Sequence, residues 1–365
     1  MIYLFTFAIS FILLSLGYHT ENPMKRNIIY FIAILPPAII AGCRDLTIGT
    51  DTDMYPYSTY LTCKHSHTIE RAFRYTISGM EELYVLLAYF SAHLFPHPNF
   101  FLFITHLIIL VTLLYSFKKA GINLAVAFAL FYLMFYANSL NAARQFLAMP
   151  FCLLSLIEFI RRKYFLCVLS MCLAFGFHHS SLFFLTILLL YYLCSRHRKL
   201  MKKRSTMVII VMSIVLGIYL FNEILTSFVG IGLTDIKYLE RYGSGDRYGT
   251  NVPISLFSIN IFNLLMFTVV SRKIREKAFV VFSRYVLIIS FLLCFMGLIS
   301  TFAVRLGAYY MIVSIVSMVY IMRRNGQQFS TIVYSFYMFY WLMTVVVARI
   351  ADTYPYHSKI LSSIV

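Results

Sequence analysis

The sequence is poor in charged residues, and especially poor in acidic ones. Only 12% of its 365 residues are charged, with 14 Asp and Glu against 31 Lys and Arg. A soluble domain carries about 25% charged residues. Hydrophobic residues make up 61% of the chain. This composition excludes a soluble enzyme, a disordered protein and a collagen-like chain.

Several other common features are also missing. The seven cysteines form no CxxC pair and show no Cys/His spacing typical of a metal site. We therefore expect no disulfide framework, no metal and no cofactor. The chain has no internal repeat and no low-complexity tract, which predicts one membrane domain over residues 1–365. The first apolar run has no basic n-region or cleavage site, so we interpret it as a retained helix.

Long apolar runs are what the sequence has in abundance. A membrane-spanning helix needs about 20 predominantly apolar residues, and the runs predict an all-α polytopic integral membrane protein with about twelve transmembrane helices. The runs are continuous rather than alternating, which excludes a porin-like β-barrel. The predicted spans are 2–16, 27–43, 100–117, 120–137, 146–160, 164–176, 182–195, 206–228, 253–271, 278–300, 304–322 and 329–347.

The basic residues between these runs predict the topology. Lys and Arg accumulate in cytoplasmic loops, so the clusters 25–26 and 118–119 should lie on the same side. The two spans between them satisfy this, and a third crossing by the short run 83–95 would not. We therefore predict that 83–95 is an interfacial or re-entrant helix on the external side. The larger external segments are then about 44–99 and 230–252, with both termini outside.

One polar segment stands out directly after the second span. It reads C-R-D-L-T-I-G-T-D-T-D-M-Y over 43–55. Glycine and short polar residues suit a tight turn whose backbone N–H groups face an anion or a sugar. The alternative interpretation is a solvated loop. Its candidate residues are Arg44, Asp45, Thr50, Asp51 and Tyr55.

A second segment, N-S-L-N-A-A-R-Q, covers 138–145 at the external start of an apolar helix. Asn141 precedes Arg144 by three residues, so helical spacing puts both on one face with Gln145 beside them. An arginine inside a membrane helix is costly and is a functional candidate by default. Snorkelling of its side chain to the surface is the alternative.

A third segment, F-G-F-H-H-S-S, covers 175–181 in a short external turn. A histidine there can titrate near neutrality and act as a general base. The alternative is an interfacial histidine that is hydrogen-bonded to the turn. His178, His179 and Ser180 are the residues concerned.

Further arginines lie on the predicted external side. Arg241 is in a tyrosine-rich loop, Arg305 is just inside a helix, and Arg349 follows the last span. Arginine is the side chain best suited to planar, bidentate contact with phosphate. Together with Arg44 and Arg144, these residues predict a polyanion at that face, most simply a diphosphate.

The order of these segments resembles the EpsG/Wzy family of polysaccharide polymerases. The chain carries R-D-x-x-x-G-T-D-T-x-x-Y, then N-x-x-R-Q, then F-H-x-S, and the resemblance extends from 44 to about 355. In the third motif, His178 and Ser180 match the family pattern, whereas His179 falls at the variable position. Arg241, Arg305 and Arg349 are not tied to a motif equally well.

The resemblance implies a glycosyltransferase of the bacterial inner membrane with its active site on the periplasmic side. It would join undecaprenyl-diphosphate-linked oligosaccharide units by block transfer of the growing chain, as in O-antigen or exopolysaccharide synthesis. The implied partners are that lipid-linked oligosaccharide and membrane lipid, with a chain-length regulator as an optional one and no nucleic acid. His178 is the predicted general base and Asp51 is second choice. The residues predicted to bind substrate are Arg44, Asp45, Thr50, Tyr55, Asn141, Arg144, Gln145, Ser180, Arg241, Arg305 and Arg349.

Three other functions remain open on the sequence. An O-antigen ligase shares the lipid donor, the arginines and a histidine, but its main external loop usually comes late in the chain. A lipid-linked oligosaccharide flippase would carry charge through a central cavity and often shows repeat symmetry. An acyltransferase fits His178, but its acyl donors come from the cytoplasmic side. The early external segment and the one-sided polar residues favour the polymerase.

Overall fold

The computed structural model describes residues 2–77, 79–230, 254–274, 277–298 and 301–362. These residues are almost entirely helical and include no β-strand. Nine helices within them are long and apolar enough to cross a membrane, by length and composition. This confirms the predicted all-α polytopic class. The nine are Ile2–His19, Pro23–Cys43, Pro98–Lys119, Leu124–Asn141, Ala143–Ile160, His179–Arg196, Ile254–Ser271, Ala278–Met296 and Phe302–Val347.

The number of spans stays a prediction. Tyr164–Phe177 and Arg204–Ile214 are shorter apolar helices that coincide with predicted runs. The helix Thr301–Trp341 contains a break at Gly326, where φ is 78° and ψ is −175°, so it corresponds to two predicted runs. The run 83–95 forms the helix Glu82–Leu94, whose 13 residues are too few for a full crossing.

The chain divides into two compact units. The first is Met1–Leu182 with Gln327–Val365, and the second is Phe183–Gly326. Whether they act as one membrane domain stays a prediction. Before Leu182, the α-helices of the first unit are Ile2–His19, Pro23–Cys43, Ser58–Lys64, Ile69–Tyr75, Glu82–Leu94, Pro98–Lys119, Leu124–Phe131, Ala137–Asn141, Ala143–Ile160 and Tyr164–Phe177.

Short turns of other helix types link some of these elements. π-Helical turns cover Asp53–Tyr57, Tyr132–Tyr136 and Leu342–Val347, and 3₁₀ turns cover His179–Phe183 and Ile350–Asp352. In the second unit, the α-helices before the long helix at Thr301 are Phe184–Arg196, Arg198–Met201, Arg204–Gly230, Ile254–Ser271 and Ala278–Met296, and the short helix Lys359–Ser362 closes the described part of the first unit.

The helix Pro23–Cys43 positions the first polar motif. Its start is capped by Asn22, whose side-chain oxygen accepts from two backbone N–H groups, and Pro23 occupies the first turn. The last four carbonyls of a helix have no intrahelical donor. Here side chains supply donors to all four. The side-chain donors and the carbonyls that accept from them are Tyr356 to Ile40, Arg44 to Ala41, Asn99 to Gly42 and Ser358 to Cys43. The chain therefore leaves this helix in one fixed direction.

Candidate functional site

The loop after that helix turns at Gly49. Its φ of +90° is a conformation that other residues rarely adopt. A Cβ at this position would lie 2.8 Å from Thr52 Oγ1 and 3.1 Å from the Leu140 carbonyl oxygen. Thr52 is fully buried and donates to the Ile48 carbonyl at 2.7 Å. The G-T-D-T sequence thus forms a tight turn, packed against residue 140 of another helix.

Asn141 connects the first motif to the second. Its side-chain oxygen accepts from the Asp51 backbone N–H at 2.7 Å and from the Thr50 hydroxyl at 3.2 Å. The helix Ala137–Asn141 ends here, and Ala142 adopts a non-helical conformation with φ −82° and ψ 52°. The chain then continues as Ala143–Ile160. This break exposes the Asn141 side chain to the loop.

The segment after the last long helix covers the other edge of the loop. The N–H groups of Asp45, Gly49 and Thr50 donate to carbonyls of His357, Asp352 and Ala351, at 2.9, 3.3 and 3.1 Å. Arg349, Ala351 and Asp352 all have positive φ, between 47° and 55°. The loop is therefore held between this segment and the Asn141 break, and Arg349 lies exposed beside it.

Arg44 has a different role from the substrate contact that the sequence predicts. It is fully buried, and its guanidinium donates to the carbonyls of Ala41 at 2.7 Å and Leu140 at 2.8 Å. Burial lowers its pKa to about 10, which leaves it charged at neutral pH. Both carbonyls lie at helix ends, where intrahelical donors are missing. Arg44 therefore joins two helix ends and is not placed to contact a substrate.

Glu81 is the centre of the site, and the sequence motifs do not include it. Its two oxygens divide between two nitrogen partners: Oε2 accepts from Arg144 Nη1 at 2.6 Å, and Oε1 lies 2.6 Å from His178 Nδ1. The Glu81 side chain is 3% exposed, against 19% for Arg144 and 13% for His178. A buried carboxylate thus positions an arginine and a histidine that both keep some access to the exterior.

The charge state of Glu81 follows from these contacts. Burial alone would raise its pKa, but the hydrogen bonds and charges of His178 and Arg144 outweigh burial and lower the pKa to about 2. Glu81 is therefore ionised at neutral pH. Because its folded pKa is depressed, the stability it contributes is present above the unfolded pKa and is lost as the pH falls towards 2.

The site joins all three motifs. Tyr55 lies with its ring centre 4.7 Å from the guanidinium carbon of Arg144, which is cation–π geometry. The first motif therefore contacts the second through Tyr55 and Arg144 and again through Asp51 and Asn141. The second contacts the third through Glu81. We call Arg144, Glu81 and His178 the carboxylate-centred triad.

The two neighbouring histidines differ sharply. His178 lies inside the triad, whereas the side chain of His179 is 44% exposed. His179 Nε2 lies 3.7 Å from a carboxylate oxygen of Glu82, which is itself 65% exposed. Exposed pairs of this kind contribute little. The catalytic role of His178 stays a prediction, but the structure separates the two histidines as the motif does.

The other predicted residues have varied positions. Asp45 Oδ2 lies 4.0 Å from Lys359 Nζ, Gln145 is buried, and Ser180 is half-buried in the turn that follows His178. Arg305 is exposed and belongs to the second unit. Arg241 lies outside the described residues.

A glycine substitution tests the loop geometry. Gly49→Ala should lower the free energy of unfolding by about 2 kcal/mol or more, because left-handed backbone costs about 1–2 kcal/mol for other residues and crowding adds about 1–3. Gly121 is the matched control: its φ is +67°, and its Cβ would meet nothing within 4 Å. Gly121→Ala should cost only the backbone term. Thermal unfolding of the purified proteins measures both, and equal losses would contradict the packing described for Gly49.

Comparison with known proteins agrees with the order of motifs. A family model described as the EpsG family matches residues 27–358. Neither curated proteins nor solved structures give a match. The matched range includes the turn at Gly49, the break at Ala142 and the carboxylate-centred triad, and it covers most of the chain. The chain belongs to the EpsG family.

Proposed function

We propose that this protein polymerises undecaprenyl-diphosphate-linked oligosaccharide units at the periplasmic face of the bacterial inner membrane. Family membership supports a polysaccharide polymerase-like role in general. The observation that supports the specific reaction is that Glu81 holds Arg144 and His178 together, each partly accessible. An anion-binding group and a candidate base at one site are what this glycosyl transfer needs.

The reaction makes two demands on such a site. A hydroxyl oxygen of the incoming unit attacks the anomeric carbon of the growing chain, and the bond from that carbon to the diphosphate oxygen breaks. The leaving diphosphate takes the bonding electrons, so its negative charge must be stabilised. The attacking hydroxyl must also lose its proton to a base.

Arg144 is suited to the first demand. Its guanidinium forms a planar fork that matches phosphate oxygens, and the Tyr55 ring and Glu81 fix its plane. Glu81 also compensates the arginine charge before substrate arrives. The diphosphate would then bind to an arginine that is already oriented.

His178 is suited to the second demand. In the neutral tautomer that donates Nδ1–H to Glu81, the lone pair is on Nε2, which is the basic nitrogen. The carboxylate then stabilises the imidazolium that forms once the hydroxyl proton has moved to Nε2. His178 would later release this proton to solvent. We also expect the reaction to survive EDTA, because the proposed chemistry uses no metal.

Arg144→Lys tests the arginine. Lysine keeps the charge but cannot form the fork, and a hydrogen bond to a charged group contributes about 1.5–3 kcal/mol. The rate of polymerisation should therefore fall about 10–100-fold. The assay is elongation of a lipid-linked repeat unit by the purified protein.

Arg161→Lys is the matched control, because Arg161 pairs with Glu158 at 3.1 Å near the end of the same helix. It should leave elongation within about twofold, since lysine keeps the charge and Arg161 lies at the opposite end of this helix from Arg144. If both lysine variants elongate like the wild type, Arg144 does not bind the diphosphate in the proposed way.

A further inference from the structure

The second unit contains a cavity whose wall is both basic and apolar. Its volume is about 560 Å³, within the range of about 300–1,000 Å³ that is typical of small-molecule sites. Five of its eleven lining residues are cationic, and none of those eleven is acidic. The cationic residues are Lys202, Lys203, Arg204, Arg272 and Arg284.

These cations come from three separate places in the chain. Lys202 and Lys203 belong to a short junction between helices, Arg272 directly follows Ile254–Ser271, and Arg284 lies within Ala278–Met296. Like charges gathered around one cavity repel one another. An anion inside the cavity would relieve that repulsion, and its binding would be favoured by the charges of all three segments.

Arg284 is the residue that membrane topology does not explain. Positive-inside bias places Lys and Arg in loops, but Arg284 lies six residues inside its helix and is half-buried. Its Nε donates to the Ser271 hydroxyl at 3.3 Å. An arginine within an apolar helix is costly and marks a functional position by default. This hydrogen bond directs the guanidinium to the end of the neighbouring helix, at the cavity wall.

The basic junction is fixed in a similar way. The Tyr285 hydroxyl donates to the Met201 carbonyl at 2.8 Å, and both residues are buried. Tyr285 directly follows Arg284, so one turn of helix holds both the junction and the half-buried arginine. The cavity therefore does not depend on flexible side chains alone for its shape.

The remaining wall is largely apolar, with Met207, Val281 and Ile288 among its residues. We propose that the cavity binds the phosphate group of an anionic ligand, with the arginines on the phosphate oxygens. Phosphate is the shared chemistry of two sources, an anionic phospholipid and a soluble diphosphate. The apolar wall adds contacts that an acyl chain can use and inorganic diphosphate cannot.

The test uses the full chain, purified and stripped of lipid. Binding of phosphatidylglycerol is measured by native mass spectrometry, with zwitterionic phosphatidylcholine, which has no net charge, as the lipid comparison and inorganic diphosphate as the soluble one. Arg284→Gln and Arg272→Gln should each weaken phosphatidylglycerol binding about fivefold, the factor equivalent to about 1 kcal/mol per basic residue. Lys203→Gln, at the exposed rim, serves as a third variant if Arg284→Gln does not fold.

The matched controls are Lys273→Gln and Arg323→Gln, which remove exposed cations of the same unit that do not line the cavity. They should leave binding unchanged. The proposal would be overturned if the controls weakened binding equally, or if phosphatidylcholine bound with equal affinity. It would also be overturned if neither phosphatidylglycerol nor inorganic diphosphate bound. Diphosphate binding as tight as lipid binding, lost in Arg284→Gln, would support the phosphate site and identify the soluble source.

Discussion

Glu81→Gln is expected to abolish the polymer ladder, although glutamine has nearly the same shape as glutamate. The substitution removes the charge shared by Arg144 and His178. A glutamine amide can also donate to His178 Nδ1, which would favour the tautomer with its proton on Nε2 and remove the base. Because a positioned base contributes roughly 10²–10⁴-fold in rate, elongation by the purified protein should fall by about that factor.

Glu82→Gln provides a closely matched comparison. Glu82 is the next residue, carries the same charge and lies near the other histidine, but both partners of that pair are exposed. This variant should elongate at nearly the wild-type rate. Removing one partner of a buried ion pair costs up to about 3–5 kcal/mol, so insertion and the unfolding midpoint of both variants must be measured as well. If Glu81→Gln and Glu82→Gln elongated equally fast, Glu81 would have no role in the reaction.

His178→Ala should leave cells with a single-unit glycolipid and no ladder. The reason is the loss of the proposed base, worth roughly 10²–10⁴-fold. Gel analysis of extracted glycolipids measures the ladder, and immunoblotting of membranes measures the protein.

His179→Ala is the control for this substitution, because the His179 side chain is exposed and lies near Glu82 rather than in the triad. It should retain most of the ladder. If His179→Ala lost the ladder and His178→Ala kept it, the base would be His179. Normal polymer from both variants and from the double variant would exclude histidine and make Asp51 the leading candidate.

The sequence predicts the helices well because continuous apolar runs have few other physical solutions in a membrane. It also indicates which segments are candidates for a site, since unusual polar residues in such a chain are costly. Asp51, Asn141 and Arg144 all lie near one another as the motifs suggest. The sequence pattern does not show which side chains of different segments contact one another.

Glu81 shows why that pairing is hard to predict. Its partners Arg144 and His178 lie 63 and 97 residues away in the chain, so no local spacing reveals them. The scarcity of acidic residues is the one available signal: a Glu-Glu pair on the predicted external side, next to a helix too short to cross, needs a cationic partner. Arg44 illustrates a different difficulty, because the motif includes it but the structure gives it a role between helix ends. A costly arginine beside a membrane helix indicates either substrate contact or the satisfaction of carbonyls at helix ends, and only the structure distinguishes them.

In the proposed mechanism, Glu81 and His178 act as one catalytic unit. A double-mutant cycle tests it most directly, with elongation rates of purified Glu81→Gln, His178→Ala and the combined variant on one lipid-linked repeat unit. Residues that act as a unit are grossly non-additive. The combined variant should be no slower than His178→Ala alone, within about threefold. Losses that multiply, so that the combined rate equals the product of the two separate reductions, would contradict it.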